Sequence, residues 1–404
     1  MNEFFNKQKA RLILIVTLIL FITCTREPTK SVFPDNQQFN PDPQITSVEP
    51  ANGSLYGIGQ ITISGSNFSS KKEENFVVFG SDTAKIVSAS ESQLIVRTPK
   101  LLGDSIKIKV GVVGALLYSN VIYYSINQAV DEMGGYGVAG EDLYAITVDA
   151  SENVYVFRSI RFVDIISPDS IDKSQVYGTA PVVTTGMKMG PGGYLYLTKS
   201  NTTLYRMPPG GGNQVPFSAM PQKVYDLDFD QNGNIYIGGE GDSLYIVYPD
   251  ASSESVAGYT DTFIKAVRVY NGYVYVGGNQ SGTFEAVWRN QIMSAPNDLG
   301  PSELVFDVTA ELGPDAEVQS LTFAQDGDMY VGTTAAPDPI QIVHPSGSSE
   351  PLYPGVLSPD MYDMDWGNDI YLYVSRRASA LAGSETRIQR INMQKLGAPY
   401  YGRQ

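Results

Sequence analysis

In 404 residues the chain has one histidine, one cysteine and two tryptophans. The solitary Cys24 excludes an intramolecular disulfide and, with only His344 to join it, a zinc site built from cysteine and histidine. A Ser-His-Asp triad would have to use His344, but Pro345 follows it at what reads as a surface strand end, and no Gly-x-Ser-x-Gly turn is present. Positive charge is scarce: 28 lysines and arginines face 43 aspartates and glutamates, for a net charge of −15, which argues against nucleic acid as a partner. Scattered as they are, these charges read as an acidic, solvated surface. The chain also lacks an apolar run of membrane-spanning length. Leu12–Ile22, behind Lys7, Lys9 and Arg11, is the length of an export-signal core.

In place of helix-forming stretches there are 26 tyrosines, 39 glycines and 24 prolines, the composition of an all-β chain with many turns. Val224–Gly239 shows the unit from which the C-terminal two thirds is built. Leu227 and Phe229 alternate with Asp226, Asp228 and Asp230, an Asn-Gly turn follows, and Ile235 and Ile237 flank Tyr236. The same strand, turn and strand recur around Tyr155, Tyr196, Tyr275, Tyr330 and Tyr371, at steps of 41, 40, 39, 55 and 41 residues. That period leaves room for four short strands per unit, as a propeller blade requires. The long step contains an insertion, Gln291–Pro301, and the sixth unit carries a long loop at Ser375–Glu385.

Residues 44–125 alternate instead in seven short strands at sandwich spacing. Ile45-Thr-Ser-Val-Glu-Pro50, Ile61-Thr-Ile-Ser-Gly-Ser-Asn-Phe68, Val78-Phe-Gly80 and Ile95-Val-Arg-Thr-Pro99 resemble the IPT/TIG family of immunoglobulin-like domains, which implies a spacer or interaction module. The repeats resemble six-bladed NHL-type propellers. Phe21-Ile22-Thr23-Cys24 resembles the cleavage box of bacterial lipoproteins and implies lipid attachment at Cys24; the alternative is a free cysteine behind an uncleaved anchor. The expected fold is thus all-β, an N-terminal IPT/TIG β-sandwich followed by a six-bladed β-propeller. The expected organisation is a signal peptide over 1–23, a flexible tether over 24–43, the sandwich over 44–125, a glycine-rich linker over 126–140 and the propeller over 141–404. Fully extended at ~3.3 Å per residue, such a tether lifts a domain about 60 Å from a lipid surface.

Aligning the innermost strands puts Thr147, Lys188, Asp228, Arg268, Thr322 and Asp365 in equivalent positions, one per blade. Two residues earlier on the same side lie Asp226 and Asp363, so the opposed third and sixth blades both carry Asp-x-Asp. These side chains are candidates to line the channel, either as a ring of ion pairs with Lys188 and Arg268 or as a calcium site like that of propeller lactonases. No catalytic residue and no resident cofactor is assigned. Tyr144, Tyr225 and Tyr362 open their inner strands, and Arg376 and Arg377 fall at the same end, a combination of rings and donors suited to sugars. The architecture resembles accessory lipoproteins of outer-membrane glycan uptake systems in Bacteroidetes-type cells. That implies a non-catalytic, lipid-anchored surface protein capturing polysaccharide; the alternatives are a calcium-dependent lactonase or lyase and an adhesion or assembly scaffold with a surface-protein partner.

Overall fold

The computed structural model describes residues 38–137, 141–159, 161–378 and 385–403. The leader, Cys24, the tether up to residue 37 and the centre of the blade-six loop lie outside the described residues.

Two sheets form the N-terminal sandwich. One places Gln44–Glu49, Gln60–Ser66, Gln93–Arg97 and Lys85–Ala89 side by side, and the other is centred on Gly103–Val112 between Ile122–Asn127 and Asn75–Phe79. Alternate residues Ile61, Ile63, Leu94, Val96, Ile108 and Val110 are buried between them, as period-two patterning requires. The Ser-Gly-Ser-Asn-Phe segment has a steric reason. A Cβ on Gly65 would stand 2.0 Å from the Gln44 carbonyl oxygen and 2.4 Å from the Phe68 ring, and Asn67 takes φ +60° to turn Phe68 into the core.

The C-terminal part is a β-propeller. Among the described residues six inner strands contact one another in cyclic order: Leu143–Val148, Gly186–Gly190, the ends of Val215–Phe229 and Ser253–Tyr270, Val318–Phe323 and Met361–Trp366. Val215–Phe229 pairs first with Asn201–Arg206 and then with Ile235–Glu240, so one continuous strand is the outer edge of one blade and the inner strand of the next. Residues 291–301 form the connection between the third and fourth strands of the fourth blade, and a short helix, Val308–Leu312, follows; together they account for the long step in the repeat.

The 126–140 stretch is more than a linker. Val130–Met133 pairs antiparallel with Arg387–Asn392 as the outer strand of the last blade, with Asp131 2.7 Å from Arg390 and Glu132 3.0 Å from Arg387. The sequence-based boundary at 141 therefore falls too late. Those four residues lack the hairpin signature because their partner lies some 255 positions downstream. Ring closure joins the beginning of the propeller to its end.

Candidate functional site

Five of the six inner strands carry a register shift in their first half, between Leu143 and Ile146, Val224 and Asp226, Ile264 and Ala266, Val318 and Ser320, and Met361 and Asp363. A bulge re-aims the extra side chain without disturbing the alternation that follows. Here it turns Tyr225 and Tyr362 toward the axis, where their hydroxyls lie 3.2 Å apart although their blades face each other across the ring. Tyr144 meets Tyr362 edge-to-face at 5.2 Å, Tyr225 meets Phe263 at 5.0 Å, and the Arg377 guanidinium covers Tyr144 and Tyr362 at 5.2 and 5.6 Å. The residues expected to form an open sugar platform thus spend their faces and hydroxyls on one another, and Tyr362 is only 6% exposed. Arg376 does not join them: it is 9% exposed and donates to the Glu385 carbonyl.

Beneath this mouth the channel residues converge, with a division of labour that follows from propeller geometry. Neighbouring inner strands splay too far apart to pair, which leaves their N–H groups in need of acceptors. Asp226 and Asp228 accept from Val267 and Val269 of the next blade, each at 2.8 Å. Asp363 and Asp365 accept from Ile146 and Val148, each at 2.9 Å. Thr147 receives the Met189 N–H at 3.2 Å and Ser320 the Met364 N–H at 3.0 Å in the same way. The Asp-x-Asp pairs are inter-blade clamps.

Cations neutralise most of this charge. Arg268 donates to Asp228 at 2.7 Å, Arg403 reaches Asp365 at 2.7 Å, and the Lys188 ammonium stands 3.7 Å from Asp365. Burial works against ionisation of Asp365, yet Arg403, Lys188 and the Thr147 and Val148 donors hold its pKa below the ordinary value. Asp226 and Asp363 accept backbone N–H groups as well, but among the described residues neither has a cation within salt-bridge distance. Burial pushes Asp226 up to about 7 and Asp363 to about 6, opposed by Lys188, with Asp363 adding to the rise at Asp226. Four carboxyls against three cations leave one charge unmatched, and the raised pKa values of Asp226 and Asp363 favour a proton on one of them.

The far end of the channel is closed by the chain's own tail, which the sequence reading did not foresee. Ala398 donates to the Phe323 carbonyl at 2.8 Å and Arg268 to that of Pro399 at 3.0 Å. Tyr400 shares a 2.8 Å hydrogen bond with Thr322 and lies under the Arg268 guanidinium at 3.6 Å. Backbone N–H groups and cations already occupy oxygens of the channel carboxylates, and among the described residues no group of three or more acidic, histidine or cysteine side chains is placed to hold a metal.

Three open concavities of the propeller lie at the tail end, and another lies at the opposite end beside Arg161 and Pro181. A groove of about 520 Å³ runs between blades four and five, lined by Tyr270, Asn271, Arg289, Leu304, Asp326 and His344 among others. Tyr270 is stacked on Phe323 at 4.2 Å with an interplanar angle of 12°, which fixes its ring from below and leaves it half-buried. Arg289 lies over Tyr273 at 4.5 Å and bonds Glu303 at 2.9 Å. His344 bonds Asp328 at 2.7 Å, a contact that raises its pKa despite some burial. His344 is therefore a groove residue at a strand end.

Residues 43–126 match the model of the IPT/TIG domain, so the chain joins such a domain to a propeller. No curated protein sequence matches the chain. Among solved structures it resembles auxiliary nutrient binding proteins of Bacteroides thetaiotaomicron (12% identity, 87% of this chain and 98% of that one, TM-score 0.54) and Bacteroides ovatus (12%, 87% and 97%, 0.51). A B. thetaiotaomicron chain with a provisional phosphatase description is also similar (11%, 87% and 97%, 0.54). At such identities the likeness is one of fold.

Proposed function

We propose that the protein is a non-catalytic binding protein of the cell surface, lipid-anchored in the outer membrane through Cys24, and that its ligand is a polysaccharide held in the groove between blades four and five. The observation that carries this reading is the stacked Tyr270 ring, held flat by Phe323 and flanked by Asn271, Asp326, Arg289 and His344 within a concavity of about 520 Å³. A supported ring offers an apolar face to a sugar ring, and the polar groups around it supply partners for hydroxyls. The channel supports a structural role instead, since its charged groups are clamps and counter-ions of the ring. The nutrient-binding description of two structural relatives points the same way.

The experiment is titration of the purified chain with a panel of polysaccharides, with and without chelator. Tyr270→Ala is expected to lose about 1–3 kcal/mol of binding, the scale of a large aromatic contact, with chelator having no effect. Binding that survives Tyr270→Ala but is lost in Tyr225→Ala with Tyr362→Ala would move the site to the tyrosine mouth. Turnover that disappears with chelator would favour the lactonase reading, and a panel without a single binder would favour a protein partner.

A further inference from the structure

Exposed large apolar side chains are unevenly spread. Among the described residues sixteen are exposed, and six of them, Val113, Leu116, Leu117, Tyr118, Val121 and Tyr123, fall within one eleven-residue stretch of the sandwich. Leu116 and Leu117 are 66% and 61% exposed. The loop is nevertheless well fixed. Asp42 accepts the Leu116 and Leu117 N–H groups at 3.1 and 2.8 Å, Asn40 bonds the Gly114 and Val113 carbonyls at 2.7 and 3.0 Å, and Val113 donates to the Glu74 carbonyl at 2.8 Å. Tyr118 is laid across the sheet, over Gly111, where a Cβ would come within 2.8 Å of the ring, and 5.1 Å from the Lys109 ammonium. Phe76, opposite Gly111, is exposed on the same face. A patch of this density on a soluble domain marks a docking surface.

We propose that this tip rests in the surface of the lipid bilayer to which the chain is anchored; the inference rests on the lipid-anchor part of the reading above. Three observations select a bilayer. Asn40 and Asp42 are hydrogen-bonded onto the tip itself, so with Cys24 in the membrane only fifteen residues, 25–39, separate anchor from tip, a reach of at most about 50 Å. The loop joins Gly103–Val112 to Ile122–Asn127 at one end of the sandwich, whereas Asn127 leads from the other end into Val130–Met133 of the propeller, so the propeller is held away from the tip. From Ser105 to Val130 the chain carries Lys107 and Lys109 and no acidic residue, in a protein of net charge −15. Leucines for the acyl boundary, tyrosines for the headgroup layer and flanking lysines for anionic phosphates are the components of an interfacial contact.

The test places an environment-sensitive fluorophore on Leu117→Cys, and in parallel on Val87→Cys, exposed on the other sheet, in the full chain reconstituted in phosphatidylethanolamine–phosphatidylglycerol vesicles whose lipids are brominated near the headgroup. Insertion of about 5–10 Å is expected to quench the probe at 117 several-fold more than that at 87. Moving the probe to Tyr118→Cys and adding Leu116→Ser and Leu117→Ser should abolish the difference; these side chains are exposed, so the fold is retained. Equal quenching at 117 and 87 in an acylated chain overturns the proposal, as does photo-crosslinking from 117 in cell envelopes to a protein rather than to lipid. Labelling of Cys24 in the unsubstituted chain reveals a free thiol and marks the failure as one of the anchor itself.

Discussion

The buried Asp226 and Asp363 pair makes stability depend on pH in a direction opposite to that of most carboxylates. Both pKa values are raised by burial, to about 7 and about 6, whereas an unfolded aspartate titrates near 3.9. Between those limits the folded chain binds protons that the unfolded chain has released, so the pair's contribution, complete below about pH 4, is lost as the pH rises toward 7 and stays lost above it. A shift of three units in one group corresponds to about 4 kcal/mol. Because the pair shares essentially one proton and Asp226 keeps a partly exposed edge, about 2–4 kcal/mol is the better figure. At a few degrees per kcal/mol for a domain of this size, that is roughly 5–10 °C in Tm. Asp226→Asn mimics the protonated acid, keeps an oxygen to accept from Val267 and removes the titration. Thermal unfolding should therefore give nearly equal Tm values for the two proteins at pH 4 and a gap in favour of Asp226→Asn that widens up to pH 8. The comparison cancels the other titrating groups, including His344, whose raised pKa acts in the same direction. A difference between the two proteins that is the same at both pH values would refute the shared-proton argument.

A chain beginning at residue 141 should unfold at markedly lower denaturant than one beginning at 128, because it loses the Val130–Met133 strand and both its ion pairs; equal midpoints would show that the closure is dispensable. Arg403→Ala leaves Asp365 with the more distant Lys188 and is expected to cost about 3 kcal/mol in chemical denaturation, the scale of breaking a buried pair, whereas a surface pair such as Lys223 with Glu240 should cost about 0–1 kcal/mol. Cys24→Ala should release the protein from the membrane fraction or leave the precursor uncleaved; attachment at mature size in that variant would contradict acylation.

Periodicity was enough to reveal the all-β class, the sandwich and the repeating hairpins, because a strand that buries one side writes that side into its sequence. It also identified Asp226, Asp228, Asp363 and Asp365 as axis-facing, since alternation survives beyond each bulge. It was silent on the bulges that swing Tyr225 and Tyr362 across the mouth, as a single extra residue in a strand has no compositional mark. Val130–Met133 and the 396–403 tail escaped for another reason: their partners are tens to hundreds of residues away and their own sequences carry no period. The groove between blades four and five was hidden likewise, for Tyr270 and Phe323 stack only once two blades are side by side. The apolar tip at 113–123 read as ordinary sandwich sequence; only the fold shows that Tyr118 and Tyr123 lie on the outside.

The claim of a glycan site in the groove is tested most directly by a crystal structure of the chain with an oligosaccharide cut from whichever polysaccharide the titration selects. A sugar ring is expected stacked on Tyr270, with its hydroxyls within hydrogen-bond distance of Asn271, Asp326 or Arg289. Sugar density over Tyr144 and Tyr225 at the opposite mouth, with the groove empty, would contradict it.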